Sequence, residues 1–155
     1  MRLLAAGAFF WRKRMYYLKT SASFDSAHFL SGYNGKCANI HGHCWKVEVK
    51  IQGEELCSDG EKRGMLIDFR DFKNEVRSIA DSLDHTLIYE KGSLRPATLT
   101  ALSEEGFSLT EVPFRPTAEN LAKYFFDVLS GRGFEPSSVT VYETEENCAV
   151  YEVTE

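Results

Sequence analysis

Residues 41–51 have the sequence HGHCWKVEVKI and alternate in character along their whole length. One set of alternate positions holds two histidines followed by apolar residues: His41, His43, Trp45, Val47, Val49 and Ile51. The other set holds small or charged residues: Gly42, Cys44, Lys46, Glu48 and Lys50. Because side chains of a β-strand alternate between its two faces, the pattern predicts a half-buried strand whose buried face begins with two imidazoles.

The preceding segment has the same period. Between Tyr16 and His28, the even positions include Tyr16, Leu18, Ala22 and Phe24, and the odd positions include Lys19, Ser21, Ser23 and Asp25, which predicts a second strand. A glycine-containing loop, SGYNGKCAN at residues 31–39, separates the two strands. If they pair antiparallel, the end of the first strand lies beside the start of the second.

After Gly64 the period changes to that of helices. An apolar stripe with Asp68 or Asp71 as the N-cap predicts one helix: Phe69, Phe72, Val76, Ile79 and Leu83. A second helix is predicted to begin near Pro116 with Thr117 as N-cap, and its buried stripe is Leu121, Tyr124, Phe125, Val128 and Leu129.

Residues 91–113 are irregular and are predicted to form a long loop. A closing hairpin is expected, with strands at 139–144 and 148–153 and the turn at 145–147.

The predicted order is β-β-α-α-β-β. Runs of strands and runs of helices indicate an α+β fold, here a four-stranded antiparallel sheet with two helices on one face. Such a sheet leaves two edges uncovered, and uncovered edges favour pairing with another chain. We therefore expect an oligomer.

Composition limits the classes of protein that fit. A chain of 155 residues with 43% hydrophobic residues suits one domain, assigned to residues 15–155. The net charge of −5 argues against sequence-independent nucleic-acid binding, and no apolar run is long enough to span a membrane. The four cysteines form no Cys-x-x-Cys pair, which favours reduced thiols in a cytoplasmic protein. Residues 1–14 are expected to be a disordered tail or an extended start, with a membrane-surface anchor as the alternative.

The chain has four histidines, and three of them fall at the predicted strand junction. His41 and His43 project from the same face, and antiparallel pairing brings His28 beside them. Three imidazoles that converge in this way form a catalytic zinc site with the fourth position open. The alternative is that they are polar or packing residues of a strand.

Other reactive residues occur in less specific contexts. Cys37, four residues before His41, could be a base, a nucleophile, a fourth ligand or a small loop residue. Asp84 could orient His85 or cap a helix end. Glu143 continues an apolar strand face and could accept paired hydrogen bonds from an amidine-like edge, or it could simply emerge into water. Glu119 lies in the first turn of the second predicted helix, where a carboxylate is explained by its favourable interaction with the helix dipole.

Together these segments resemble the family of 6-pyruvoyltetrahydropterin and 6-carboxytetrahydropterin synthases. The resemblance covers residues 16–152, nearly the whole chain apart from its N-terminus. It depends on six motifs in a fixed order: FDSAHFL, GKCANIHGHCWKVEV, GMLIDFRDFK, LDHTLI, PTAENLAKYFF and VYETEENCAVY.

The resemblance implies a role for each matching residue. His28, His41 and His43 correspond to the family's zinc ligands, and Cys37 corresponds to its catalytic cysteine. Asp84 and His85 correspond to the proton relay, and Glu143 to the glutamate that anchors the pterin. Thr117 and Glu119 fall in the motif that lines the pterin pocket. The family's tunnelling fold implies a twelve-stranded barrel of three chains, two such trimers in a hexamer, and active sites between subunits.

The implied substrate is 7,8-dihydroneopterin triphosphate, a small molecule, with Zn²⁺ as cofactor and no nucleic-acid or membrane partner. The short CANIHGH spacing resembles the compact bacterial and archaeal enzymes, which favours 6-carboxytetrahydropterin as product and a role in queuosine and 7-deazapurine biosynthesis. The alternative product is 6-pyruvoyltetrahydropterin. Two further readings are a three-histidine zinc enzyme for hydration or hydrolysis and a non-enzymatic, zinc-stabilised binding module.

Overall fold

Two long antiparallel strands form the centre of the fold. In the computed structural model, which describes residues 14–154, β1 spans Tyr16–His28 and β2 spans His41–Gly53. They pair along their whole length, and His28 lies opposite His41 at one end. The loop between them contains one short 3₁₀ turn, Lys36–Ala38. Both strands and their register agree with the predicted pairing.

The complete sheet has six strands. β3 is Leu87–Glu90, β4 is Leu109–Val112, β5 is Pro136–Tyr142 and β6 is Cys148–Glu152. Their order across the sheet is β4-β3-β1-β2-β5-β6, with parallel pairing between β1 and β3 and between β3 and β4. The prediction of a four-stranded antiparallel sheet is therefore wrong, because it lacks the two parallel strands at one edge.

Three helices accompany the sheet: α1 at Phe69–Asp81, α2 at Pro96–Glu104 and α3 at Ala118–Gly131. α1 and α3 are the two predicted helices. α2 and β4 lie in residues 91–113, so the prediction of a long loop there is wrong. The sequence does not reveal these elements because β3 and β4 each have only four residues, and α2 buries none of its side chains. Neither a four-residue strand nor a helix without a buried side produces a recognisable alternation of apolar and polar residues.

The closing hairpin turns earlier than its sequence pattern predicts. β5 ends at Tyr142, and the backbone N–H groups of Glu143 and Thr144 both donate to the carbonyl of Asn147, at 3.0 and 3.3 Å. Those two hydrogen bonds belong to the turn. Glu143 is thus the first residue beyond β5 instead of a member of the strand.

The hydrophobic core lies between the sheet and the pair α1 and α3. It includes the apolar face of β2 and the stripes of both helices, such as Trp45, Phe72 and Phe125, each 0% exposed. Phe69 is an exception to the predicted stripe, since it is 59% exposed at the first residue of α1. Asp68 is the N-cap of α1, and its side chain accepts a hydrogen bond from the N–H of Arg70 at 2.7 Å.

The predicted N-terminal tail, residues 1–14, lies outside the described residues except for Arg14. Within the described range of 14–154, no helix combines the length and the apolar character needed to cross a membrane.

Candidate active site

Strand register brings three histidines together at one end of the sheet. His28 faces His41, and His43 is two residues further along the same face of β2. The ring centroids of His28 and His41 are 4.5 Å apart, those of His28 and His43 are 5.2 Å apart, and those of His41 and His43 are 4.9 Å apart. His28 is buried and the other two are half-buried, so the cluster lies where the core meets solvent.

Backbone carbonyls orient two of these rings. Nδ1 of His28 donates to the carbonyl of Pro116, just before α3, and Nδ1 of His41 donates to the carbonyl of Asn39, both at 2.7 Å. A carbonyl oxygen only accepts hydrogen bonds, so the proton of each neutral ring is on Nδ1. The lone pair of each Nε2 is therefore directed into the cluster, as it is in histidines that ligate a metal.

The resulting geometry suits a cation. Nε2 of His28 and Nε2 of His41 are 3.1 Å apart. Two lone pairs at that separation repel each other unless a proton or a metal ion lies between them. Two nitrogens that ligate one tetrahedral zinc ion at about 2.0–2.1 Å are separated by roughly 3.3 Å, close to the distance observed.

Glu143 adds a carboxylate to the same cluster. Its Oε1 is 3.2 Å from Nε2 of His43, and one ligand atom from each of Glu143 and the three histidines lies within 4.8 Å of the others. Nε2 of His43 is buried and makes no well-directed hydrogen bond among the described residues. The four side chains can therefore hold a metal ion, with three ring nitrogens and one carboxylate oxygen available as donors.

The protonation of His28 and His43 favours metal binding. Burial lowers the pKa of His28, an effect that the hydrogen bond to Pro116 only partly opposes. Burial also lowers the pKa of His43, while the nearby Glu143 carboxylate acts in the opposite direction. Both rings therefore favour the neutral state, which is the state that binds metals.

A second cluster lies at the turn that follows α1. Asp84 accepts two hydrogen bonds, one from the N–H of Asp25 at 2.8 Å and one from Nδ1 of His85 at 2.7 Å. His85 has a φ of 54°, in the left-handed region that non-glycine residues seldom adopt. Its own N–H donates to the carbonyl of Asp25 at 2.6 Å, which ties this turn to β1. This unusual backbone explains how two adjacent residues face each other.

The hydrogen bonds of this pair change the acidity of both partners. The N–H of Asp25 and then the His85 imidazole hold the pKa of Asp84 below its usual range. The Asp84 carboxylate, through its hydrogen bond and its charge, raises the pKa of His85. The imidazole of His85 is 78% exposed, so it remains accessible to a reactant.

A cavity of about 440 Å³ lies beside His85. Its lining includes the end of β1 at residues 25–27 and apolar residues from the segment of α2 and β4: Leu102, Phe107 and Leu109. Ile40, the residue just before His41, lies on another side of the cavity. The cavity thus extends between the His85 turn and the loop that leads into the histidine cluster, and its volume suits a small molecule.

The remaining predicted site residues lie on the 3₁₀ turn before β2 and at the start of α3. Cys37 is half-buried in the 3₁₀ turn, and its carbonyl accepts a hydrogen bond from the N–H of Leu30 at 2.8 Å. Thr117 is the N-cap of α3 and accepts from the N–H of Asn120 at 3.3 Å. Glu119 is exposed in the first turn of α3. Since Pro116 contacts His28, the start of α3 lies next to the histidine cluster.

Comparison with known proteins identifies the family to which the chain belongs. Residues 17–154 match the family described as 6-pyruvoyl tetrahydropterin synthase. The chain belongs to this family. A relative from Haemophilus influenzae, named 6-carboxy-5,6,7,8-tetrahydropterin synthase, is 38% identical over 141 residues, which are 89% of this chain and 99% of the relative.

Solved structures of the synthase family and its neighbours share the fold. A structure of an uncharacterized protein from Wolinella succinogenes has a TM-score of 0.75 at 22% identity, covering 90% of this chain and 98% of the other. The 6-pyruvoyl tetrahydropterin synthase of Caenorhabditis elegans has a TM-score of 0.62 at 25% identity, covering 93% and 99% of the two chains. On this fold, the histidine cluster and the Asp84–His85 pair each bring titratable side chains within hydrogen-bonding distance of one another.

Sequence reasoning misses three contributors to the site. The carbonyls of Pro116 and Asn39 leave no trace in residue type, because every residue has a carbonyl. The proximity of Glu143 to His43 depends on the pairing of β5 with β2, which joins residues distant in sequence. Trp45 is recognisable as a core residue of β2, but its contact with the histidines follows only from the geometry of the rings.

Proposed function

We propose that this protein converts 7,8-dihydroneopterin triphosphate to 6-carboxy-5,6,7,8-tetrahydropterin, with release of acetaldehyde and triphosphate, and acts as a carbon–carbon lyase in queuosine and 7-deazapurine biosynthesis. The observation that carries the proposal is the convergence of three histidine rings, two of them with Nε2 lone pairs only 3.1 Å apart. The 6-carboxy product is supported by the name of the Haemophilus relative.

Zn²⁺ is the ion that we propose for the cluster, held by His28, His41 and His43. When bound there, zinc supplies Lewis acidity to hydroxyl groups of the substrate and makes their protons easier to remove. A site with three histidines leaves one position for such a hydroxyl.

Glu143 anchors the pterin in this proposal. A carboxylate can accept two parallel hydrogen bonds from the N–H and amino groups of the pterin ring. Its position 3.2 Å from His43 places that anchor directly beside the metal ligands, so a bound ring presents its side chain to the ion. Thr117 and Glu119, at the start of α3, are proposed to line the same pocket.

Cys37 and His85 move the protons. Cys37 acts as a thiolate base, and His85 exchanges protons with the substrate at its exposed Nε2 while Asp84 holds Nδ1. The raised pKa of His85 suits a group that must both hold and release a proton near neutral pH. The cavity beside His85 supports its access to a small molecule.

The assembly is proposed to be a hexamer built from two trimers, each closing a barrel of the tunnelling-fold type, with active sites between subunits. This is supported by unpaired strand edges: within residues 14–154, the side of Tyr16–Phe24 that faces away from β2 and the outer side of β6 have no strand partner. The four free cysteines are compatible with the cytoplasmic location that we propose.

The second candidate is the 6-pyruvoyltetrahydropterin synthase reaction, which eliminates triphosphate from the same substrate without carbon–carbon cleavage. The family description and the Caenorhabditis elegans structure favour it. The same residues would serve both reactions, so the product alone separates them.

The deciding experiment is mass spectrometry of products after anaerobic incubation of the zinc-loaded protein with 7,8-dihydroneopterin triphosphate. We expect 6-carboxytetrahydropterin together with acetaldehyde. A 6-pyruvoyl product without acetaldehyde would move the protein to the second reaction. If the protein binds zinc but converts no pterin, both pterin reactions are wrong. The remaining alternatives are then hydration or hydrolysis by a three-histidine zinc centre and a non-enzymatic binding module.

A further inference from the structure

A column of stacked aromatic rings leads from α3 to the histidine cluster. Phe125 on α3 stacks on Phe24 of β1, with ring centroids 6.1 Å apart and planes inclined by 25°. Phe24 in turn stacks on Trp45 of β2, at 6.2 Å and 12°. Each of the three rings is at most 2% exposed, so the column is a rigid part of the core.

Trp45 ends this column directly against two of the three histidines. Its ring is 5.0 Å from that of His28 at an angle of 84°, and 5.2 Å from that of His43 at 75°. Edge-to-face contacts of this kind are attractive and depend on angle. A rotation of either imidazole about its side-chain bonds would break the contact and would also turn its Nε2 away from the cluster.

The indole of Trp45 has a polar N–H group that packing in an apolar core does not require. Trp45 Nε1 is buried, and it has no hydrogen-bond partner among the described residues. A buried donor without a partner is unfavourable, and a phenylalanine would avoid it. The favourable contribution of Trp45 at this position is therefore the contact of its ring with the two imidazoles, and not its N–H group.

We infer that Trp45 is a positioning residue for the metal ligands: its ring holds His28 and His43 at the angles that ligation requires before an ion binds, and it closes the core side of the centre to water. This inference rests on the metal centre of the proposed function. Trp45 ligates nothing itself, and it acts only through the orientation of the two rings and the apolar surroundings of the ion.

The test compares zinc affinities of the full chain, measured by competition with a chromophoric chelator. Trp45→Leu removes the ring and is expected to weaken zinc binding by roughly tenfold to a hundredfold, the range found for residues that support metal ligands. Trp45→Phe keeps an aromatic edge and should stay within about threefold of the unaltered chain. The matched control is Phe72→Leu, since Phe72 is also 0% exposed but packs against Phe134, with ring centroids 5.9 Å apart.

The control separates positioning from general stability. Phe72→Leu should lower the melting temperature and leave the zinc affinity unchanged. In protein loaded with Co²⁺, the visible absorption bands report ligand geometry, and only Trp45→Leu should alter them. If Trp45→Leu binds zinc as tightly as the unaltered chain and gives the same cobalt spectrum, the inference is wrong. If the unaltered chain binds neither ion, the proposed metal centre fails instead.

Fluorescence provides a second test that leaves Trp45 unaltered. The chain has two tryptophans, so Trp11→Phe leaves Trp45 as the only one. Because the Trp45 ring contacts two proposed zinc ligands, its fluorescence emission should change as zinc binds. In a titration, the change should end at one zinc ion per chain. Emission that stays constant through zinc saturation would contradict the inference, even if Trp45→Leu did not fold.

Discussion

His41 and His85 are the same side chain in two different surroundings, and each makes a separate residue-scale prediction. His41 directs Nε2 into a cluster of nitrogen and oxygen donors, whereas His85 contacts Asp84 and is largely exposed. His41→Ala removes one of three nitrogen ligands and should reduce zinc from one ion per chain to near zero. The measurement is metal analysis by mass spectrometry after removal of loosely bound ions.

His85→Ala is the matched control for that prediction. It makes the same substitution outside the donor group, so zinc content should stay at one ion per chain while turnover falls. Full zinc occupancy in His41→Ala would refute the ligand assignment. Loss of zinc in His85→Ala would show that the two clusters are not separate.

The Asp84–His85 pair predicts a specific pH effect. Asp84, with a smaller contribution from Asp25, raises the pKa of His85, so the imidazole retains its proton to a higher pH than an ordinary histidine. Asp84→Asn removes one negative charge, and an amide oxygen can still accept the N–H of Asp25. The pKa of His85 should therefore fall, as followed by NMR titration of its ring proton.

The same shift should be visible in catalysis. The limb of the pH–rate profile that belongs to His85 should move to lower pH in Asp84→Asn, in step with the NMR value. An unchanged His85 titration would mean that Asp84 does not control this imidazole. A shifted titration with an unchanged rate profile would remove His85 from the proton transfer.

Residue type and strand period together suffice to predict where the three histidines lie. His-x-His on a strand gives a common face, and antiparallel pairing places His28 opposite His41. The contact between Asp84 and His85 could not be predicted in this way, because it needs a left-handed backbone at a non-glycine residue. No residue pattern signals that conformation.

At the scale of elements, the sequence predicts those that bury one face and misses those that do not. β1, β2, α1 and α3 each show a period because each has a buried side and an exposed side. α2 buries no side chain, and β3 and β4 are too short to show alternation. β3 is positioned by parallel pairing to the end of β1, and β4 by parallel pairing to β3, so both strands depend on residues distant in sequence.

The start of α1 offers an element-scale prediction with an internal comparison. Asp68 caps the helix by accepting the N–H of Arg70, while Asp71 lies within the first turn and pairs with Lys62 on the surface. Asp68→Ala should lower the free energy of unfolding by about 1 kcal/mol, the usual cost of losing an N-cap. Asp71→Ala should have a smaller effect, since exposed ion pairs contribute little.

Urea denaturation of both variants at saturating zinc would measure the difference. Zinc content should be unchanged in each, because α1 provides no member of the histidine cluster. Equal destabilisation by the two substitutions would contradict the assignment of Asp68 as the cap.

At the scale of the whole molecule, two of the strand edges left unpaired within residues 14–154 have complementary directions: the side of β1 that faces away from β2, and the outer side of β6. β1 and β6 run antiparallel to each other, since β1 is antiparallel to β2, β2 to β5 and β5 to β6. An antiparallel pairing of β6 with β1 of a second copy would continue the sheet. It would also place the turn after β5, which contains Glu143, near the end of β1 that contacts His85.

If Cys37 acts in the same site as Glu143 of its own chain, as proposed above, this arrangement predicts that Cys37 and His85 of different chains serve one site. Cys37→Ala and His85→Ala should each be inactive when produced alone. In co-assembled mixtures, about a quarter of the sites between subunits would combine the intact cysteine of one chain with the intact histidine of its neighbour. Co-expression should therefore restore roughly a quarter of the turnover per site. Hexamers without restored turnover would instead place both residues of each site on one chain.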